Sequence, residues 1–160
     1  MQTITYTAIG VVHSPFTTLA GMPIQTVAAA GIAATIELEP GYAAGLADIE
    51  GFSHLLIVSH LHLMQGYALE VTPFMDTQPH GVFATRSPRR PNPIGLSIVR
   101  LIRVEGARLH IEEIDLLDGT PVLDIKPYVP QLDDRPTEQT GWFAANVHKV
   151  YEIRADDRVR

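Results

Sequence analysis

Apolar and polar residues alternate with a period of two along several short stretches, and no helical period runs for long. "ATIELE" (34–39) alternates cleanly and stops at a Pro40-Gly41 turn, which predicts a half-buried strand. "SHLLIVSH" (53–60) is apolar enough through its centre to be buried on both faces. Further strands are predicted at 5–13, 81–85, 95–105, 107–117, 121–128 and 146–154, each short and bounded by turn residues. Glu105-Gly106 should join two of them as a hairpin, and Asp118-Gly119 is a second hairpin signal. Helical signal is weak: a short helix within 42–52, with Gly51 near its C-terminal end, and one turn within 141–147. Residues 14–31 and 126–145 read as long ordered loops, a class more often functional than idle. The pattern predicts a mainly β protein: a small closed or nearly closed β-barrel with short helices and long ordered loops. A β-sandwich is the alternative.

Composition narrows the possibilities. The chain has 160 residues, enough for one full core, with 46% hydrophobic and 19% charged residues, an ordinary globular balance. No apolar run approaches the roughly 20 residues of a membrane span, and the N-terminus lacks the pattern of a signal peptide. The absence of cysteine removes disulfides, thiolate catalysis and iron–sulfur sites together. A cytoplasmic location is the expectation. The net charge of -6 weighs against a dedicated nucleic-acid binder, yet six of the twelve basic residues fall between 86 and 108.

That cluster opens with "TRSPRRPNP" (85–93), which carries Arg86, Arg89, Arg90 and Asn92 between Pro88, Pro91 and Pro93. Proline fixes φ and restricts the residue before it, so the arginines are presented in near-fixed directions. A pre-organised guanidinium fork suits a carboxylate or a phosphate. A solvated turn with local ion pairs would not need three prolines and three arginines together. The segment therefore predicts a site for an anionic or carboxylate-bearing ligand. Elsewhere the signals are plainer. On physical grounds Asp118-Gly119 with Pro121 is a turn and nothing more. His54, His60 and His62 have the same parity and would share a face on one continuous strand. No credible ligand set surrounds them, so no metal is expected. Rossmann, P-loop and GxSxG motifs are absent.

Four stretches carry a resemblance: "IGVVHSPF", "LADIEGFSHLLIV", "GVFATRSPRRPNPIGLSIVRL" and "DLLDGTPVLDIKPYVP", in this order from residue 9 to 130. They resemble the TsaA-like family, also called TrmO. The resemblance implies one TsaA-like β-barrel domain over 1–160, without the extra C-terminal domain of larger members, and a homodimer. It implies S-adenosylmethionine as cofactor and methylation of N6-threonylcarbamoyladenosine beside the tRNA anticodon. Carried over position by position, the cofactor contacts become Gln25, Thr26, Val27, His62, Leu63, Arg86, Leu96, Asp118, Gly119, Thr120 and Pro121. Arg89, Arg90 and Asn92 are left for the substrate, either tRNA or a small acidic molecule. A methyltransferase of a small carboxylate-bearing metabolite and a non-catalytic S-adenosylmethionine-binding module are the alternative functions. His62, Asp115 and Asp118 are candidates for the general base on residue type alone.

Overall fold

The computed structural model describes residues 2–156. Six antiparallel strands close into a barrel in the order β1-β2-β7-β6-β3-β8. They are β1 (Gly10–His13), β2 (Ala33–Leu38), β3 (His54–His60), β6 (Ile94–Glu105), β7 (Arg108–Glu112) and β8 (Pro121–Pro127). Two short strands, β4 (Glu70–Val71) and β5 (His80–Gly81), form a separate ribbon beside it. The sequence expectation of a closed barrel with few helices is met, and the sandwich is not formed.

Strand alternation puts every second residue inside. The interior is built from Val12, Ile36, Leu38, Leu55, Ile57, Val99, Leu109, Ile111 and Val122, all nearly inaccessible to solvent. Burying such side chains is worth about 1.5–3 kcal/mol each, and it fixes the register because a one-residue slip would turn them outward. The β3–β6 register also sets a gradient. Leu55 faces Val99, Ile57 faces Ser97, and Ser59 faces Gly95. The core is therefore aliphatic at one end and turns polar at the other.

Several predicted strands differ in extent. Residues 5–9 do not join β1; the ladder effectively begins where the Ile9 amide bonds the Val122 carbonyl. Segment 81–85 forms only Gly81 of β5 and then a 3₁₀ turn over Val82–Ala84, with the Thr85 hydroxyl donating to the Val82 carbonyl. Segment 107–117 stops pairing at Glu112, because Glu113 takes a left-handed conformation with φ of 68°. A non-glycine residue there is uncommon and turns the chain sharply. Asp118-Gly119 does not close a β7–β8 hairpin, since those strands are not neighbours. Instead the turn is held against the end of β1: the Asp118 and Gly119 amides donate to the Phe16 and Val12 carbonyls.

The largest correction is at 146–154, read as a strand. It is helical, with a short helix at Phe143–Asn146 followed by a 3₁₀ stretch at Val147–Tyr151. Its β-branched residues suggested a strand, but half-buried Phe143 and Asn146 and buried Val150 lie three and four apart and share one side of a helix. The helical turn expected within 141–147 is present. The short helix expected in 42–52 is a pair of 3₁₀ segments, Pro40–Leu46 and Ile49–Gly51.

Candidate functional site

The polar end of the barrel opens into a cavity of about 360 Å³. Its floor is the start of β6. Gly95 is required there: a Cβ at that position would lie 2.5 Å from Ser59 Oγ and 2.9 Å from Leu61 Cδ2. Ser59 Oγ itself is buried and finds no hydrogen-bond partner among the described residues, so the floor retains an unspent polar group. Next along β6, Ser97 donates its hydroxyl to Asp115 Oδ1 at 2.6 Å.

Asp115 is the one acidic residue lining the cavity. The left-handed Glu113 breaks β7 two residues earlier and turns the chain so that Asp115 reaches the mouth while Ile114, Leu116 and Leu117 enter the core. Burial of its carboxyl raises the pKa from the ordinary carboxylate range to about 6; the Ser97 hydroxyl and the nearby charge of Arg86 pull in the opposite direction without cancelling it. A half-buried acid poised near neutrality, beside a guanidinium in a cleft, is a common mark of a functional site.

The basic loop forms the rim. Arg86 donates from Nη1 to Gln25 Oε1 at 2.7 Å, which brings the 14–31 loop onto the arginine segment. Arg90 also lines the cavity, but its Nη1 donates to the carbonyls of Val82 (3.0 Å) and Thr85 (2.9 Å), and its guanidinium lies 5.7 Å from the centre of the Phe83 ring. It therefore holds the turn that precedes Arg86. No ion pair joins Arg86, Arg89 or Arg90 to an acid among the described residues. Three guanidiniums without a direct ion pair among the described residues, with only Arg86 acting on Asp115, suit an anionic ligand.

The expected cofactor residues fall into three groups. Gln25, Arg86 and Leu96 line the main cavity. His62, Leu63 and Thr120 line an adjoining recess of about 50 Å³ that shares Leu61, Asp115 and Leu116 with it. Asp118 and Gly119 are exposed at the far turn, where Asp118 Oδ1 accepts the Ser14 amide and lies 3.5 Å from His13 Nδ1. Pro121 pairs with Val11 and borders a separate groove. Thr26 and Val27 form a 3₁₀ turn after Gln25, with the Thr26 backbone close enough to act on the Asp115 carboxyl. Arg89 is half-buried and Asn92 is exposed, on the outer part of the loop. The three histidines do not form one set. His54 and His60 belong to β3, His62 lies beyond its end, and His54 sits 4.0 Å from Glu113. No cluster of three metal-ligating side chains occurs among the described residues.

Sequence reasoning missed Ser97, Gly95, Ser59 and Leu61 as parts of the site. The only available signal was the alternation of "GLSIV", which puts Gly95, Ser97 and Val99 on one inner face.

Comparisons with known proteins add to this geometry. Residues 11–134 match the family described as the tRNA-methyltransferase O N-terminal domain. A probable S-adenosyl-L-methionine-binding protein of Pyrococcus abyssi is 50% identical over 155 residues, covering 97% of this chain and 84% of that relative. The mouse tRNA (adenine(37)-N6)-methyltransferase is 45% identical over 91 residues, covering 55% of this chain and 21% of the enzyme. The crystal structure of TrmO from Pseudomonas aeruginosa superposes with a TM-score of 0.74 at 38% identity, covering 88% of this chain and 63% of the crystallised one. No helix among the described residues is long and apolar enough to cross a membrane.

Proposed function

This chain belongs to the family of the tRNA-methyltransferase O N-terminal domain, and from that premise we propose that it is an S-adenosylmethionine-dependent methyltransferase. Its acceptor is the N6 nitrogen of N6-threonylcarbamoyladenosine beside the anticodon of tRNA, and its place of work is the cytoplasm. The observation that carries the proposal is the composition of the barrel-mouth cavity: one poised acid and two arginines set among aliphatic walls.

The cavity suits the cofactor. Its volume of about 360 Å³ lies in the range of small-ligand sites, about 300–1,000 Å³. Leu61, Ile94, Leu96 and Leu116 offer flat apolar surface for an adenine ring. Arg86 keeps donors beyond the one spent on Gln25 and meets a carboxylate. The orphaned Ser59 hydroxyl and the absence of a Cβ at Gly95 leave a floor that a polar group can approach closely. His62, Leu63 and the Asp118–Pro121 turn extend the contacts beyond the cavity, as the resemblance implies.

When bound, the cofactor supplies an activated methyl group on a sulfonium, so the protein's work is orientation and proton removal. Asp115, its carboxyl oriented by the Ser97 hydroxyl and the Thr26 backbone, is the group that takes the proton lost by the acceptor nitrogen. The aliphatic walls exclude water from that transfer. Arg89 and Asn92 on the outer part of the loop face the tRNA, where arginines meet phosphates and fix register, while Arg90 braces the turn behind them. A second copy of the chain completes the site. Leu96 is 63% exposed at the cavity rim, with Ile94 and Ile98 on the same outward side of β6. A homodimer covering this stripe would close the mouth.

Calorimetric titration with S-adenosylmethionine tests the cofactor assignment. Binding without added metal is expected, and Arg86→Ala should weaken it by about 1.5–3 kcal/mol, the value of a charge-assisted hydrogen bond. No binding by the wild-type protein would refute it.

A further inference from the structure

The chain from Glu113 to Thr120 runs between β7 and β8 outside any strand, yet it carries Asp115 and Leu116 to the cavity and Thr120 to the adjoining recess. At its start it is tied by the Glu113 amide, which donates to the Ile32 carbonyl at 3.0 Å. Its later half is tied to residues 12–16, where β1 ends in His13-Ser14-Pro15-Phe16. The strands themselves give little help there. β1 and β8 pair only through Gly10 with Val122 and Val11 with Pro121, so the bonds beyond that ladder set where the segment lies.

Ser14 stands at the centre of this tie. Its hydroxyl donates to the Leu116 carbonyl at 2.7 Å and accepts the Phe16 amide at 3.2 Å. Its amide donates to Asp118 Oδ1 at 3.2 Å. Around it, the Asp118 amide donates to the Phe16 carbonyl at 2.7 Å, the Gly119 amide to the Val12 carbonyl at 2.9 Å, and the Val12 amide to the Thr120 carbonyl at 2.9 Å. Pro15 restricts Ser14 to extended backbone and has no N–H of its own to compete, so the hydroxyl and amide of Ser14 point in fixed directions. Serine hydroxyls commonly bond backbone close by in sequence. Here the donor reaches across 102 residues of sequence to the residue that follows Asp115.

We propose that Ser14 is a positioning residue for the reaction: it holds the 115–120 segment so that the Asp115 carboxyl stays in the walled mouth of the barrel and the Asp118–Pro121 turn stays presented to the cofactor. The roles of Asp115 and of the turn rest on the function proposed above; the clamp itself does not. Without the hydroxyl, the Leu116 carbonyl loses its donor and the segment is free to lift from the barrel end, which admits water to the Asp115 carboxyl. Water relieves the burial that holds this carboxyl above the ordinary aspartate range, so its titration moves down. The charged and titratable groups that face Asp115 from other elements are Arg86 and Arg90 on the basic loop and His62 beyond β3. A change at Ser14 replaces none of them.

The test follows the carboxyl directly, in the cofactor-free protein, by carbon NMR of isotope-labelled aspartate, with the Asp115 signal identified by its loss in Asp115→Asn. The wild-type carboxyl should titrate at about 6. Ser14→Ala should lower that midpoint by about one unit or more, and Ser14→Thr, which restores the hydroxyl, should return it to the wild-type value. Ser14→Cys keeps the volume with a weaker donor; it should give a smaller fall, and it replaces the alanine variant should that one not fold. Val104→Ala opens a cavity at the other end of β6, so it loses stability away from the site and should leave the titration unmoved. Calorimetric titration of Ser14→Ala with S-adenosylmethionine should show affinity about two- to tenfold below wild type, recovered in Ser14→Thr. An unmoved midpoint in Ser14→Ala, no recovery in Ser14→Thr, or an equal fall in Val104→Ala would overturn the positioning of Asp115. Unchanged cofactor affinity in Ser14→Ala would overturn that of the turn. Wild-type protein that does not bind S-adenosylmethionine would overturn the methyltransferase reading instead, and the carboxyl midpoints would still decide the clamp.

Discussion

Asp115 concentrates the chemistry and the cost of the site in one residue. Its carboxyl keeps a proton up to about pH 6 in the folded protein, whereas an unfolded aspartate loses it near 4. Between these values the folded state binds more protons, so the contribution to stability falls as pH rises from about 4 through about 6 and stays lost above. Asp115→Asn cannot titrate and should retain the Ser97 hydrogen bond. Thermal melts should therefore show the variant gaining on the wild type as pH rises from 4 to 7. Turnover should move the opposite way, rising through pH 6 in the wild type and falling about 10²–10⁴-fold in the variant at pH 7, the usual worth of a general base. A variant with no gain in melting temperature and normal turnover would remove Asp115 from both roles. Arg90 calls for a different substitution. Arg90→Lys keeps the charge but cannot reproduce one guanidinium nitrogen bridging the Val82 and Thr85 carbonyls. It should lose about 1–2 kcal/mol in denaturant melts while the salt dependence of tRNA binding is preserved; an unchanged midpoint would show that the bridge is dispensable.

The barrel strands were the most legible elements, because burial on alternate positions leaves a period of two that no short helix imitates. β2, β3, β6 and β8 fall within one residue of their predicted bounds. Where the sequence misled, local pattern was overruled by contacts from far away. "NVHKVYEIR" has strand-like composition, yet it is held as a helix by Lys149 on Met75 and by Trp142 on Ala84 and His80. The arginines of the site were readable from the prolines around them. The clamp on the 115–120 segment was not, since Ser14 and Leu116 stand 102 residues apart and no local spacing encodes their meeting. Gly95 belongs to the element scale as well. Gly95→Ala should overpack the β3–β6 contact at Ser59 and Leu61 and cost about 1–3 kcal/mol in denaturant melts. It should also raise the cavity floor and weaken cofactor binding. A neutral effect on both would show that the polar end of the barrel is looser than its geometry implies.

At the scale of the whole molecule, an acidic chain carries a basic rim at one barrel end, and that polarity sets how tRNA would approach. With a net charge of -6, non-specific attraction to nucleic acid is weak, and on the proposed function the loop arginines would supply the tRNA contacts. The chain covers 63% of the crystallised TrmO relative. The decisive measurement is mass spectrometry of nucleosides from tRNA that carries N6-threonylcarbamoyladenosine, after incubation with the purified protein and S-adenosylmethionine bearing a heavy-isotope methyl group. The expected result is a heavy methyl on that nucleoside in the presence of wild-type protein, strongly reduced with Asp115→Asn. Contradiction would be unmodified tRNA despite saturating, calorimetrically verified cofactor binding, with the label transferred instead to a small carboxylic acid or to nothing.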